Sequence, residues 1–417
     1  MSFSSSSSSR LRLLVRPRLS RLLSSSPSPS NPNPNPNPNP SSAARPAPAP
    51  RALRSIIKRL FRERDPDKLA AGFIAAAAAS PRFRCRHRIY SSAVRRLAAA
   101  GRPDAVAAVL DSHLRFPSDL SHEGFSARLI SLYGAASMPS HAAALFRRLP
   151  SLSAPRSALS FNALLTALAD SSSSNPDALL AAFDQIPAED PSIVPNLCSY
   201  NILIRALCAK PDLDAAFDVL SLMEQHGISP DLISFNTLLN GFFGHGRFPD
   251  AEKVWNLMRE RNVEPDVKSF NAKLRGLVLE KRTEEAAELV DQMMRDGPKP
   301  DTSSFNAVIR GHCKIGNLEA AKTVYLDLVK NGCAPNKGTF EALIPHLCEA
   351  GDFDLALRCC YDSMSRKCFA DAAVLQKVVD GLVAASRAEE AEKLLERARK
   401  NKYSKKSLKM PNKQSVS

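Results

Sequence analysis

Residues 232–266 read LISFNTLLNGFFGHGRFPDAEKVWNLMRERNVEPD. Two helical patterns fit inside this stretch. From Leu232 to Phe243 the apolar residues Phe235, Leu238, Leu239 and Phe242 recur at helical spacing. Gly246 supplies a left-handed turn that ends this helix. Pro249 to Arg261 then places Ala251, Val254, Trp255 and Met258 on one face of a second helix. Pro265 forbids continuation and forces the preceding residue extended. Asp266 is suited to cap the next start. The stretch is therefore a helical hairpin with its own start and stop signals.

Working outward, the same phrase recurs every 35 residues. An aromatic and a polar residue open each copy: Tyr200-Asn201, Phe235-Asn236, Phe270-Asn271, Phe305-Asn306 and Phe340-Glu341. A proline turn precedes each opening, from Pro195-Asn196 to Pro335-Asn336. An alanine marks the middle of each copy at Ala216, Ala251, Ala286, Ala321 and Ala356, and again at Ala391. Gly101, Gly316 and Gly351 share the register of Gly246. A fixed period of this size marks a solenoid, whose units bury their apolar faces only against neighbours. The aromatic ladder then reads as core packing, not as a platform for stacking bases.

The wording S-[FY]-N-x-L-[IL]…G…A…M…G-x-x-P-[DN] at this period resembles the pentatricopeptide repeats of the plain P type. The resemblance implies an all-α, right-handed superhelical solenoid of eight to nine tandem 35-residue helix-turn-helix units. Its expected organisation is a degenerate cap over 51–86 and repeats over about 87–121, 122–157, 158–196, 197–231, 232–266, 267–301, 302–336 and 337–371. A last degenerate repeat covers 372–400, completing a solenoid over 51–400. Two insertions lengthen the spacing and are expected in loops near Ser171–Asn175 and Ala188–Ser192.

The flanks differ in composition. Residues 1–62 hold no acidic residue and carry Arg10, Arg12, Arg16, Arg18 and Arg21 among serines and leucines. This Arg-rich, acid-poor pattern marks an organellar transit peptide, mitochondrial in preference to chloroplast. Ser25 to Pro50 is a Ser/Pro/Asn-rich stretch expected to be a disordered linker, completing a leader over 1–50. Residues 401–417 read as a basic disordered tail. The whole chain has a formal charge of +15, which suits a polyanionic partner. Nine scattered cysteines form no C-x-x-C pair, so neither a metal site nor a disulfide framework is expected. The longest nearly uncharged apolar run, Leu69 to Ala79, is too short to span a bilayer.

In the family that the chain resembles, each repeat reads one base of single-stranded RNA. It does so through the residue after the aromatic and the last residue of the repeat. An Asn side chain offers both a donor and an acceptor to a base edge. The pairs implied here are Asn162 with Asn196, Asn201 with Asp231, Asn236 with Asp266, Asn271 with Asp301, and Asn306 with Asn336. The resemblance implies uridine for Asn with Asp, and cytidine or uridine for Asn with Asn. The implied target is a pyrimidine tract, Y-U-U-U-Y. The same Asn residues have a second reading, as caps of the first helix. An aliphatic residue at the second repeat position sandwiches the base in the family. Leu159 and Ile233 fit, Cys198 is marginal, and Lys268, Ser303 and Gly338 depart from the pattern. Arg205, Arg275 and Arg310 share one register four residues past the Asn and suit RNA phosphates, with Lys273 and Lys314 expected on or near that surface.

No catalytic signature, cofactor motif or metal-ligand cluster is legible. His312-Cys313 and His346 with Cys348 read as structural. Two functions follow. One is a non-catalytic RNA-binding adaptor in organellar RNA metabolism or translation. The other is an accessory subunit of the mitochondrial ribosome small subunit, contacting ribosomal RNA and small-subunit proteins. The second rests on the wording of Glu123 to Gly134 and Leu159 to Leu165, which is similar to short P-type proteins of the plant mitoribosomal small subunit. Neither function calls for a membrane or a small-molecule substrate.

Overall fold

The structure is a computed structural model that describes residues 50–170, 176–210, 212–401 and 408–411. The leader over 1–50, apart from Pro50, and most of the tail over 401–417 lie outside the described residues, as does the expected insertion at 171–175. Among the described residues there are α-helices, two 3-10 turns and no strand.

The chain divides into two units between Leu238 and Leu239. The first holds the hairpins Pro50–Arg62 with Pro66–Ala79, His87–Ala99 with Pro103–Asp111, and Glu123–Ala135 with Pro139–Arg148. It continues with Ala158–Ala169 and Pro176–Glu189, then Leu197–Cys208 and Leu213–Gln225. The second holds Phe248–Glu260, then Val267–Leu279 with Thr283–Asp296, and Thr302–Lys314 with Leu318–Lys330. It ends with Lys337–Glu349 and Phe353–Ser365, then Ala372–Ala384 and Ala388–Lys400. The helix Leu232–Gly244 spans the division. Each unit is thus all-α and made of hairpins in tandem.

The period is a packing rule. Ala216, Ala251, Ala286, Ala321, Ala356 and Ala391 all show 0% exposure, because a larger side chain there would push the two helices apart. Tyr200, Phe235, Phe305 and Phe340 are buried as well, which bears out core packing. Phe270 is half-buried and meets the Trp255 ring edge-on at 5.1 Å.

In seven of the hairpins the inner turn takes a left-handed residue whatever the sequence supplies. Gly101, Gly246, Gly316 and Gly351 have φ between +68° and +79°. Ser137, Lys281 and Ser386 take the same register at +56°, +60° and +59°, where a side chain adds strain.

Two expectations change. The insertion placed at Ala188–Ser192 begins inside a helix, since Pro176–Glu189 runs through Pro187 before the chain leaves it at Asp190. Part of the expected disordered tail is docked. Leu408 is 1% exposed, and Lys409 exchanges two hydrogen bonds with the Gln376 side chain at 2.8 and 2.9 Å.

Candidate nucleic-acid interface

Each reading position is started by one hairpin and closed by the next. The Asn follows the buried aromatic and lies a full turn inside the first helix. The last residue of the repeat is the N-cap of the following first helix. Asn196 caps Leu197–Cys208 by accepting from the Ser199 N–H at 3.2 Å, while Ser199 Oγ accepts from the Asn196 N–H at 3.0 Å. Asp266, Asp301 and Asn336 form the same reciprocal box with Ser269, Ser304 and Thr339. Asp231 and Ser234 do so at 2.9 and 3.2 Å. The expectation that the Asn itself caps its helix is therefore corrected: the second member of each pair is the cap.

The two members then meet. Asn162 Nδ2 donates to Asn196 Oδ1 at 3.1 Å, and Asn201 Nδ2 donates to Asp231 Oδ1 at 3.2 Å. Asn271 Nδ2 donates to Asp301 and Asn306 Nδ2 to Asn336, both at 3.1 Å. A serine hydroxyl returns a bond to the Asn carbonyl. Ser199 donates to Asn162 and Ser234 to Asn201, both at 2.6 Å, and Ser304 donates to Asn271 at 2.7 Å. Asn236 is buried, and Asp266 accepts from the Lys268 and Ser269 N–H groups at 2.9 Å. Four of the five predicted pairs are thus joined by a hydrogen bond within one unit. Reading a base must be added to, or exchanged with, bonds that the protein already makes.

The serines at this junction were the residues that sequence reasoning missed. Their signal was the Asn/Asp-x-x-Ser spacing of a capping box, set directly before the aromatic. They are fully buried: Ser160, Ser199, Ser234, Ser269 and Ser304 all show 0% exposure. One repeat earlier Glu123 plays the part of the Asn. Its carboxylate accepts from the Ser157 and Ser160 amides and hydroxyls at 2.7 to 3.1 Å. Burial alone would raise its pKa, but these donors outweigh burial and hold it below the usual carboxylate range. Asp231 behaves alike: its burial is outweighed by the Ser234 amide, the Asn201 amide and the Ser234 hydroxyl.

Asn306 differs. Thr339 stands where the serine would be, and Asn306 Oδ1 is buried without a hydrogen-bond partner. Beside it, a Cβ added to Gly338 would meet Arg310 Nη2 at 3.0 Å, Asn336 Oδ1 at 3.3 Å and Asn306 Nδ2 at 3.7 Å. The Arg310 guanidinium therefore lies over the Asn306–Asn336 pair, in space that an aliphatic side chain would otherwise fill.

The second-position register faces solvent. Leu159 is 53% and Ile233 is 61% exposed, large apolar residues turned mostly to solvent. Cys198, Lys268 and Ser303 are exposed at the same register. Leu159, Cys198 and Ile233 flank the Asn162 and Asn201 pairs, so the repeats 158–196 and 197–231 carry the fullest equipment.

The predicted phosphate contacts divide. Arg205 is half-exposed and paired with Asp170 at 3.1 Å, a surface contact that contributes little. Arg275 is exposed and donates to Asn240. Lys314 is exposed one turn beyond Arg310 and shares its face. Lys273 does not share it. Two residues from Asn271 is about 200° around the helix, and its ammonium lies 2.9 Å from Glu252 and over the Trp255 ring. Lys273 belongs to the packing between helices.

Burial pushes the Cys313 and Cys348 thiols up to about 11, which leaves them poor nucleophiles. Among the described residues no group of three His, Cys, Asp or Glu side chains is placed to hold a metal. No helix among them is long and apolar enough to cross a membrane.

The profile of the PPR repeat family matches residues 195–243, 230–279, 266–314 and 300–349. Residues 195–349 are pentatricopeptide repeats. The chain is similar to the small ribosomal subunit protein mS78 (rPPR3a) of Arabidopsis thaliana, 41% identical over 165 residues, or 40% of either chain. The small ribosomal subunit protein mS79 (rPPR3b) of the same plant is 38% identical over 173 residues, 42% of this chain and 43% of that protein. A pentatricopeptide repeat-containing protein, At2g18520, named as mitochondrial, is 31% identical over 169 residues, 40% of each. The matched region spans about two-fifths of the length of these relatives. The matched residues include the hairpins that carry the Asn201–Asp231, Asn271–Asp301 and Asn306–Asn336 pairs, while Asn162 lies before them.

Proposed function

We propose that this protein is a non-catalytic, mitochondrial RNA-binding adaptor in organellar RNA metabolism or translation. The observation that carries this reading is the set of Asn–Asp and Asn–Asn pairs, repeated at one register of the first helices, with exposed apolar residues beside the first two of them. Family resemblance assigns uridine to the Asn–Asp pairs and a pyrimidine to the Asn–Asn pairs. The acid-free, Arg-rich leader and the naming of a relative as mitochondrial support the location. The experiment is binding of Y-U-U-U-Y oligonucleotides against the same oligonucleotides with purines in the U positions. A purine should weaken binding by about fivefold or more per position, from the roughly 1–3 kcal/mol by which a base-edge contact discriminates against the wrong base. Equal affinity for all sequences would remove base reading from the account.

A second reading, an accessory subunit of the mitochondrial ribosome small subunit, is favoured by the names of the two relatives at 41% and 38% identity. Its partners would be ribosomal RNA and small-subunit proteins. The lack of an aliphatic side chain at Lys268, Ser303 and Gly338 supports it, because it weakens the grip on an unpaired base. Sedimentation of a mitochondrial extract in magnesium and in EDTA tests it. Co-migration with the small subunit at high salt supports the ribosomal role; light, RNase-sensitive fractions support the free adaptor.

A further inference from the structure

The chain's positive charge is not on the repeats that carry the reading pairs. Residues 51–170 hold nineteen Lys and Arg against eight Asp and Glu, a net charge of +11. Residues 171–401 hold twenty-seven against thirty-four, a net charge of −7. The side chains repeat the contrast. In the later repeats many lysines and arginines are engaged, as in Lys322 with Asp352 at 2.7 Å, Lys337 with Asp371 at 2.6 Å and Arg387 with Asp354 at 2.6 Å. Along the first helix, Arg54, Lys58, Arg59 and Arg62 are all exposed and, among the described residues, form no ion pair. Lys58, Arg59 and Arg62 stand four, five and eight positions past Arg54, so the exposed basic residues make one continuous helix face.

The next first helix continues the patch. Arg88 and Arg95 are exposed and seven residues apart, hence on one face. Arg95 stands four residues past Ser91, the register of Arg205, Arg275 and Arg310. Arg88 stands three before Ser91, the register of Leu159 and Ile233. Arg96 on this helix donates to the carbonyls of Phe61 and Glu63, which brings the end of the first basic face beside the second.

We propose that the hairpins Pro50–Arg62 to Pro103–Asp111 form an RNA phosphate-backbone clamp, which supplies affinity independent of sequence while the acidic repeats behind it supply base preference. The chemistry is unpaired guanidinium and ammonium groups on a rigid helical surface, suited to phosphate. An anionic membrane surface is the poorer fit. Leu53 and Leu60, the apolar side of the first helix, are buried in the hairpin and not free to insert.

This inference deepens the RNA-binding reading and rests on it, and the test separates the two. Binding of a U-tract oligonucleotide, and of one with purines in its place, is measured from 50 to 300 mM salt. The comparison is wild type, the variant Arg54→Gln/Lys58→Gln/Arg59→Gln/Arg62→Gln, and Arg54→Lys/Arg59→Lys/Arg62→Lys as the charge-preserving control. Each lost phosphate contact lowers the salt slope by about 0.7. The Gln variant should lose about 2 to 3 from the slope on both oligonucleotides, with the U-to-purine ratio unchanged. The Lys control should keep the wild-type slope. An unchanged slope in the Gln variant would overturn the clamp, even with base preference intact. A reduced slope with no preference for U in any protein would keep the clamp and overturn base reading. A loss of slope in the Lys control as well would overturn the clamp, since charge is then not what the helix contributes.

Discussion

Removing the Asn271 side chain should cost this protein stability before any RNA is present. Asn271 is 7% exposed, donates to the Asp301 carboxylate at 3.1 Å and accepts from Ser304 Oγ at 2.7 Å. The first bond is charge-assisted, worth about 1.5–3 kcal/mol, and the second is neutral, worth about 0.5–1.5 kcal/mol. Ser304 can fall back on Asp301, 3.1 Å away, so part of the second is recovered. Asn271→Ala should then lose about 2–3 kcal/mol. Asn306→Ala is the internal comparison. Asn306 gives one neutral bond to Asn336, and its buried carbonyl oxygen has no partner to lose. Its loss should be about 1 kcal/mol or less. The assay is urea unfolding of both variants without RNA, comparing midpoints at equal m-values. Equal losses, or a loss below about 0.5 kcal/mol for Asn271→Ala, would refute the reasoning that these pairs hold neighbouring repeats together. The consequence is practical: an Asn→Ala change cannot by itself separate base reading from structure.

Three further outcomes are expected. His113 is 1% exposed between the Tyr90 and Phe125 rings, neither ring nitrogen has a hydrogen-bond partner, and burial together with Arg128 and Arg84 lowers its pKa to about 4. A depressed folded value means full stability above the unfolded pKa near 6.5 and loss as pH falls towards 4, about 3 kcal/mol in all; His113→Phe should flatten this slope in thermal melts taken from pH 7 to pH 4. Gly338→Val should displace the flexible end of Arg310 and press Asn336 Oδ1 back by a few tenths of an ångström while supplying the missing aliphatic wall, raising affinity for a pyrimidine at that repeat by about 1 kcal/mol in oligonucleotide titrations, at the cost of a small fall in Tm. Lys281→Gly should stabilise by up to about 1 kcal/mol in urea unfolding, because φ at this position is +60°.

The hairpins were legible because three marks, the aromatic, the alanine and the proline turn, each obey one packing constraint at one period. The all-α array and the buried ladder follow from that repetition alone. What escaped notice was directional or collective. Lys273 is close to Asn271 in sequence but points the other way around the helix, which spacing reveals only when converted to an angle. The serine before each aromatic looked like part of the repeat's wording, whereas its hydroxyl and amide close the junction between hairpins. The charge of +15 was read over the whole chain, and a sum conceals that the reading repeats are net acidic and the first hairpins strongly basic. Leu408 and Lys409 gave no periodic signal, since a docked segment without a helix has none.

The central claim is that the pairs read bases, and the structure supplies a substitution that changes the code without breaking the cap. Asn196 and Asn336 already form the capping box that Asp301 forms. The double variant Asp231→Asn/Asp301→Asn should therefore keep both caps and fold, with its Tm lowered by the roughly 1 kcal/mol per site lost when a charge-assisted bond becomes a neutral one. The measurement is competition between a U-tract and the same tract with cytidine at the two matching positions. The account predicts a shift in preference from uridine towards cytidine in the variant. Retention of the wild-type preference, or no discrimination by either protein, would contradict it.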